Sequence, residues 1–152
     1  MNILLVEDGD YKSRRVFDFI KSEFPNVEII IRKSYSSALK ELTSNTFNLA
    51  IIDLSLPTFD SDNGEDGGEF RAYGGLDIAK QMKRRKISLP FLFLTQYSSF
   101  SNDGTSLKIN DIQAIANNEH ANFLGCIYYE HSNSKWQTEL KEIIKNECNS
   151  NH

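Results

Sequence analysis

The sequence has few residues of the kinds that mark secreted, zinc-binding or membrane-spanning proteins. It contains two cysteines, Cys126 and Cys148, and three histidines, and none of them has the spacing of zinc ligands. No apolar run approaches the length of about 20 residues needed to cross a bilayer, and the N-terminus lacks a signal-peptide pattern. We therefore expect reduced thiols in a cytoplasmic protein that makes no contact with a membrane.

The charge balance also argues against one class of partner. The net charge is −4 over 152 residues, which disfavours nonspecific binding to nucleic acid. The longest basic run, residues 83–86, falls late in a predicted helix, where cations complement the helix dipole. We expect no direct contact with nucleic acid. No repeat or linker divides the chain, so the sequence predicts one domain over residues 1–148 and a frayed tail at 149–152.

Apolar runs alternate with segments of helical periodicity along the chain. Runs without polar alternation are typical of strands buried on both faces. Five such runs occur, at residues 3–6, 27–31, 49–53, 91–95 and 123–129. The segments between and after them predict five helices. This alternation predicts an α/β fold with a parallel sheet covered by helices on both faces.

Acidic residues end two of these runs. Glu7 and Asp8 follow the first run, and Asp53 ends the third. Ligands bind at the carboxyl edge of an open parallel sheet, so the three carboxylates are expected to share one pocket. Their mutual repulsion favours a bound cation, and the sequence therefore predicts a magnesium-dependent phosphoryl acceptor. Chance placement of three acids at strand ends is the alternative. The prediction requires that no basic side chain permanently fills the space between them.

Four segments, in order, resemble the receiver domain of two-component response regulators. They are Ile3 to Asp8, Ala50 to Pro57, Gly75 to Ile78 and Leu89 to Thr95. The resemblance extends over about residues 1–147. It implies a flavodoxin-like, doubly wound, five-stranded parallel sheet of strand order 2-1-3-4-5 with five helices. It also implies a role in signal transduction, as a phosphoprotein within a phosphorelay.

The resemblance implies a role for each matching residue. Asp53 matches the phosphoacceptor, and Glu7, Asp8, Asp53 and the backbone carbonyl of Ser55 match the ligands of Mg²⁺. Thr95 matches the switch hydroxyl that bonds a phosphoryl oxygen. The implied phosphodonor is a histidine kinase or phosphotransfer protein. The output would be contact with an unidentified protein, and a homodimer stays open. No turnover enzyme is expected, because the phosphoryl group would be accepted on the chain's own aspartate.

The sequence departs from this family at the end of the fifth predicted strand. The family usually carries a lysine there, which neutralises the phosphoryl group, and Tyr129 occupies that position. No lysine occurs between residues 109 and 134. Without a substitute such as Lys108 or Lys135, a charge-assisted contact of roughly 1.5–3 kcal/mol is lost. Phosphorylation would then be slow, short-lived or absent.

Two loops are longer than the family norm, at about residues 58–74 and 98–110. The first is rich in acids and glycines and the second in Ser, Asn and Gly, so the first is expected to be mobile and solvated. Both follow strands whose ends form the predicted pocket. They are expected beside it, either as a lid or contact surface or as tolerated loop growth.

The usual family output face, around the fourth helix, fifth strand and fifth helix, would carry Cys126, Tyr128 and Trp136 nearby.

Two other functions remain open at this point. A pseudo-receiver would use the same fold as a binding module without phosphorylation, and the missing lysine favours it. A haloacid-dehalogenase-type phosphatase is the more remote alternative, because Asp8 and Asp10 have the spacing of its two aspartates. The sequence lacks the Thr or Val expected two residues after Asp10, and it lacks a late acidic pair at a strand end.

Overall fold

The alternating apolar and helical segments fold into one parallel sheet flanked by helices. The computed structural model describes residues 1–61, 67–96, 99–102 and 105–150, with the backbone alone described for 99–102 and 105–107. Within these ranges the helices are α1 (Asp10–Glu23), α2 (Tyr35–Ser44), α3 (Gly74–Arg84), α4 (Ile109–Glu119) and α5 (Lys135–Ser150). The strands are β1 (Asn2–Val6), β2 (Glu28–Arg32), β3 (Leu49–Ile52), β4 (Leu56–Pro57), β5 (Phe70–Arg71), β6 (Phe91–Thr95), β7 (Ser99–Asn102), β8 (Thr105–Lys108) and β9 (Phe123–Tyr128).

The central sheet has the order β2-β1-β3-β6-β9, and every pairing in it is parallel. The predicted doubly wound fold and its strand order are therefore confirmed. The chain moves outward from β1 to β2 and then returns to β3 on the other side of β1. The carboxyl ends of β1 and β3 consequently flank the topological switch point, which is where open α/β sheets bind ligands.

Successive residues of the strands face opposite sides of the sheet and build two apolar cores. Ile3 and Leu5 of β1 pack with the inward face of α1 and with α5. Leu4 and Val6 point to the other side, toward α2, α3 and α4. Both faces of the sheet are thus covered, which explains why its strands read as continuous apolar runs. No helix in the described ranges is long and apolar enough to span a membrane.

Two details of the C-terminal region differ from the sequence-based expectation. Helix α5 continues to Ser150, so it includes the first two residues of the predicted tail, and residues 151–152 lie outside the described ranges. Trp136 is fully buried against Phe19 and Tyr129. It therefore belongs to the core and offers nothing to a contact face, whereas Tyr128 is 42% exposed.

The first expanded loop contains structure that its polar composition did not predict. Strand β4 pairs antiparallel with β5, and the amide of Phe59 donates to the carbonyl of Gly67. The amide of Ser36 in α2 donates to the carbonyl of Thr58, and the Ser37 hydroxyl donates to Asp60. The described part of this loop is therefore held against the start of α2. The predicted mobility also concerned residues 62–66, which lie outside the described ranges.

The second expanded loop also contains a short hairpin. Strands β7 and β8 pair antiparallel, and α4 begins at Ile109, inside the predicted 98–110 expansion. Residues 97–98 and 103–104 lie outside the described ranges. The extra residues between β6 and α4 are thus largely accounted for by a two-stranded unit that is separate from the main sheet.

Candidate functional site

Three carboxylates converge at the switch point of the sheet. Glu7 directly follows β1, and Asp53 directly follows β3 and donates its amide to the carbonyl of Val6. One carboxylate oxygen from each of Glu7, Asp8 and Asp53 lies within 4.8 Å of the other two. The structure therefore brings together the three acids that the sequence predicted would share a pocket.

Burial makes this cluster electrostatically costly. Glu7 and Asp53 are 4% and 7% exposed, while Asp8 is exposed. Burial, partly countered by the nearby Lys12, raises the pKa of Glu7 from 4.5 to about 7. Burial also raises the pKa of Asp53, and burial followed by the charge of Glu7 raises that of Asp8. A cation placed among the three acids would relieve this strain.

The residue that the sequence analysis missed is Lys12. Its Nζ atom lies 2.6 Å from Oε2 of Glu7 and 3.6 Å from Oδ1 of Asp53, and it donates to the carbonyl of Leu94 at 2.7 Å. The residue is only 4% exposed. The available signal was its place in α1, because Lys12 shares the inward face of the helix with Val16 and Ile20. A lysine on an otherwise apolar stripe needs a buried acidic partner.

Tyr129 lies just past β9, where the resemblance placed it, but its hydroxyl is bonded elsewhere. The amide of Tyr129 donates to the carbonyl of Thr95 at 2.7 Å. The hydroxyl lies 2.9 Å from Nδ1 of His131 and accepts a bond from Arg15. Its ring, which is fully buried, lies beneath the Lys12 ammonium, with 5.4 Å between Nζ and the ring centroid.

The two lysines suggested as substitutes do not serve the site. Lys108 and Lys135 are exposed. Within the described residues, Lys12 is the single basic side chain in ion-pair contact with Asp53. The alternative that Lys108 or Lys135 supplies the missing cation therefore gains no support from this structure, in which the cation beside Asp53 comes from α1.

Ser55 and Thr95 also lie at this edge of the sheet. Ser55 is buried and lines the same cavity as the acids, and its hydroxyl donates to the carbonyl of Ala72. Its backbone carbonyl is the group that the resemblance matches to a metal ligand. Thr95 ends β6 next to Leu94 and is fully buried. All six residues singled out by the sequence therefore fall at the ends of β1, β3, β6 and β9.

A cavity of about 340 Å³ opens over the acids. Glu7, Asp8, Asp53 and Ser55 line it on one side. Its remaining lining residues come from the start of α1, from β5 and from the segments after β6 and β9: Gly9, Asp10, Tyr11, Lys12, Phe70, Gln96 and His131. Phe70 belongs to the first expanded loop and is 59% exposed. The expectation that this loop would lie beside the pocket is therefore correct.

The residues present fit a hard divalent cation. Oδ1 of Asp53 is buried and has no hydrogen-bond partner in the described part of the chain, and the Lys12 ammonium lies 3.6 Å away, so this oxygen can still accept a closer positive ligand. Carboxylate and carbonyl oxygens are the ligands that Mg²⁺ prefers. Lys12 contacts two of the acids without filling the pocket, because the cavity above them remains open.

Asp10, the second aspartate of the phosphatase-like pair, is placed differently. Its carboxylate bonds to Lys33 at 2.8 Å and its side chain is 85% exposed. The Lys33 ammonium lowers its pKa. A general acid acting beside a nucleophile needs the opposite environment, with its pKa raised toward neutrality. The geometry therefore gives no support to the haloacid-dehalogenase-type alternative.

The chain is similar to known proteins in sequence and in fold. No protein-family model matches the chain. The chain is 26% identical over 147 residues to the Detocs response regulatory protein DtcB of Enterobacter cloacae, covering 95% of this chain and 98% of that protein. Among solved structures it is similar to a response regulator receiver domain protein from Clostridium thermocellum, with a TM-score of 0.67 and 16% identity over 99% of this chain and 95% of the other.

A second solved structure adds a bound ligand. The chain is similar to the response regulator TrrA of Thermotoga maritima in complex with Mg²⁺ and BeF, with a TM-score of 0.60 and 21% identity. The alignment covers 96% of this chain and 97% of that one. The structural neighbours are receiver domains, so the resemblance read from the sequence is confirmed and the chain has the receiver fold.

Proposed function

Because the chain has the receiver fold, we propose that it accepts a phosphoryl group on Asp53 within a phosphorelay and passes the signal on through protein contacts. The observation that carries this proposal is the convergence of Glu7, Asp8 and Asp53 at the switch point, beneath an open cavity. Folding alone does not favour three acids in one place, because their burial and mutual repulsion are unfavourable. Such a cluster is retained when a function uses it.

The chemistry assigned to Asp53 is nucleophilic. One carboxylate oxygen attacks the phosphorus of a phosphohistidine on the donor protein and forms a new oxygen–phosphorus bond. The nitrogen–phosphorus bond breaks, its electron pair stays on the imidazole, and the imidazole takes up a proton from water. The product is an acyl phosphate on Asp53. This reaction requires Asp53 to be ionised; burial raises the pKa of Asp53, and the Lys12 ammonium partly counters that effect.

Glu7, Asp8, Asp53 and the carbonyl of Ser55 would hold Mg²⁺. The ion would offset the negative charge shared by the carboxylate and the phosphoryl group. Thr95, at the end of β6, would donate its hydroxyl to a phosphoryl oxygen. Because the carbonyl of Thr95 accepts the amide of Tyr129, a shift at Thr95 would be felt at the end of β9. Such a shift would bias the surface at the end of β9 and so carry the signal outward.

The partners follow from the chemistry. A histidine kinase or phosphotransfer protein would supply the phosphoryl group, and a further protein would receive the signal. The similarity to a response regulatory protein supports this assignment. The proposal also retains the cytoplasmic location expected from the sequence, and it assigns the chain no turnover of its own.

The pseudo-receiver is the second candidate function, and one observation favours it. Lys12 already contacts both Glu7 and Asp53 at 2.6 and 3.6 Å, so the acids are partly neutralised without a metal ion. In that case the site would be a structural ion-pair cluster. The two functions make opposite statements about whether Asp53 reacts.

The test is incubation with acetyl phosphate and Mg²⁺, followed by mass spectrometry of the intact protein. We expect a gain of one phosphoryl group that hydroxylamine removes, since acyl phosphates react with it. The gain should vanish in Asp53→Asn and persist in Asp60→Asn, a matched change in an aspartate that bonds to Ser37 away from the acids. An unmodified wild-type protein that also gives no beryllofluoride-dependent NMR shifts would leave the pseudo-receiver.

A further inference from the structure

We propose that Lys12, in the first turn of α1, supplies the positive charge that the fifth strand of the sheet lacks, and that it exchanges Glu7 for the phosphoryl group when Asp53 is phosphorylated. The inference rests on the proposed function, because it names the residue that would stabilise the phosphoryl group. The proposal assigns the positive charge of the site to a helix residue, whereas the family usually has it at the end of a strand.

The hydrogen bonds of Lys12 leave room for this role. An ammonium group has three donors. Two are directed at Oε2 of Glu7, at 2.6 Å, and at the carbonyl of Leu94, at 2.7 Å. The third acceptor within reach is Oδ1 of Asp53, but at 3.6 Å it is too distant for a hydrogen bond, and this oxygen is itself without a partner among the described residues. A phosphoryl group on Asp53 would give the remaining donor an acceptor, and the donor now bonded to Glu7 would follow it once Mg²⁺ takes Glu7 as a ligand.

Tyr129 supports the lysine instead of replacing it. The face of its ring lies 5.4 Å from the Lys12 ammonium, a distance at which an aromatic ring attracts a cation. The hydroxyl is engaged by His131 and Arg15, so the ring is fixed in place. Tyr129, at the position of the usual lysine, thus helps to hold the ammonium group of Lys12, which belongs to α1.

The other nearby basic side chains are committed to other contacts. Arg15 donates to the hydroxyl of Tyr129 and to the carbonyl of His131. Lys33 pairs with Asp10 on the surface. Among the lysine and arginine side chains of the described ranges, Lys12 is therefore the one in ion-pair contact with Asp53.

The position of Lys12 has a consequence for metal binding. Glu7 is shared, because it is bonded to Lys12 here and would also be a ligand of Mg²⁺. Removing the ammonium should free Glu7 and strengthen metal binding, while it should weaken phosphorylation. A lysine that served only to stabilise the fold would not move these two quantities in opposite directions.

The experiment compares wild type with Lys12→Gln, and with Lys12→Arg, which keeps the charge. Calorimetric titration with MgCl₂ alone gives the metal affinity, and acetyl phosphate with saturating Mg²⁺ gives the rate of phosphorylation and the lifetime of the product. We expect Lys12→Gln to bind Mg²⁺ several-fold more tightly and to lose roughly tenfold to a hundredfold in the rate of phosphorylation or the lifetime of the product, the range of a charge-assisted hydrogen bond. Lys12→Arg should stay close to wild type in phosphorylation. Lys108→Met and Lys135→Met should match wild type in both measurements.

The outcomes separate the two proposals. If wild type is phosphorylated and Lys12→Gln equals it in rate and lifetime, the role of Lys12 is overturned while Asp53 keeps its own. Unchanged or weaker Mg²⁺ binding in Lys12→Gln overturns the exchange at Glu7. If wild type is not phosphorylated at all, the proposed function fails first. If Lys12→Gln does not fold, Lys12→Met replaces it, because a methionine side chain fills the buried space that the lysine side chain occupies between α1 and the sheet.

Discussion

A Cβ atom placed on Gly75 would lie 2.7 Å from the backbone carbonyl oxygen of Asp53. The same atom would lie 3.0 Å from the ring of Phe93 and 3.1 Å from Cα of Leu54. The amide of Gly75 also donates to the carbonyl of Leu54. Helix α3 thus begins in direct contact with the backbone that carries Asp53, and this approach is open only to a residue without a side chain.

We expect Gly75→Ala to lower the free energy of unfolding by about 1–3 kcal/mol, as overpacking does when rigid atoms are in the way. Gly74→Ala is the matched control. Its Cβ would meet the Cβ atoms of Leu56 and Arg71 at 3.0 and 3.3 Å, a looser approach than the 2.7 Å at Gly75, so the loss should be smaller. Urea denaturation measures both variants. Equal midpoints for the two would contradict a close contact at Gly75.

The fold could be predicted from the sequence because strands that are buried on both faces consist of continuous apolar residues. Runs such as Ile3 to Val6 are typical of strands in a covered parallel sheet. The three acids could be placed together by the same reasoning, since strand ends meet at one edge. The prediction of the fold and the prediction of the acidic pocket therefore both rest on the arrangement of a parallel sheet.

Lys12 and the two hairpins could not be predicted in this way. A lysine in a helix reads as a solvated residue, and the spacing of Lys12 with Val16 and Ile20 becomes a signal only if α1 extends back to Asp10. The hairpins of β4 with β5 and β7 with β8 have two to four residues per strand. Such short strands carry too little periodicity to stand out against polar loop composition. Tertiary contacts, such as the bond between the Ser36 amide and the carbonyl of Thr58, hold the first of them.

Asp8 offers a way to weaken metal binding without harming the fold. Asp8 as a whole is exposed, but partial desolvation of its carboxylate at the edge of the cluster, followed by the charge of Glu7, raises its pKa. We expect Asp8→Asn to lose about tenfold or more in Mg²⁺ affinity, because ligand charge sets the strength of such sites. The metal-free protein should unfold at the same or a higher denaturant concentration, because a repulsion is removed.

Denaturation with and without Mg²⁺ measures both effects in one experiment. A ligand that binds only the folded state stabilises it by RT ln(1 + L/Kd), where L is the free ligand concentration, so a weaker affinity in Asp8→Asn should shrink the stabilisation by Mg²⁺. Asp10→Asn is the control, because Asp10 pairs with Lys33 outside the cluster. A full Mg²⁺ effect in Asp8→Asn would remove Asp8 from the proposed ligand set.

His120 should make the protein sensitive to mild acid. The residue is buried against Phe91. Its Nε2 atom has no hydrogen-bond partner in the described part of the chain. Burial lowers its pKa below the ordinary value of 6.5. As the pH falls through about 6.5 the unfolded chain binds a proton that the folded chain resists, so the free energy of unfolding decreases.

We therefore expect His120→Leu to lose less stability than wild type when the pH is lowered from about 7.5 to 5.5, a range that brackets the ordinary histidine pKa. Urea denaturation at a series of pH values measures the difference. The carboxylates of the acidic cluster titrate in both proteins and cancel in the comparison. Parallel stability curves for the two proteins would mean that His120 is protonated as easily inside the fold as outside it.

Tyr129 separates the effect of a hydroxyl from that of a ring. We expect Tyr129→Phe to lose about 1 kcal/mol of stability, because the bonds to His131 and Arg15 disappear. Phosphorylation by acetyl phosphate should stay within about twofold of wild type, since the ring under Lys12 remains and a twofold change is well under 1 kcal/mol. Tyr129→Leu removes the ring as well. The contact between the ring and the Lys12 ammonium is then lost, and phosphorylation should fall further. A Tyr129→Phe protein that fails to react, while folding and binding Mg²⁺ normally, would show that the phenol itself contacts the phosphoryl group and that Lys12 does not replace the missing lysine alone.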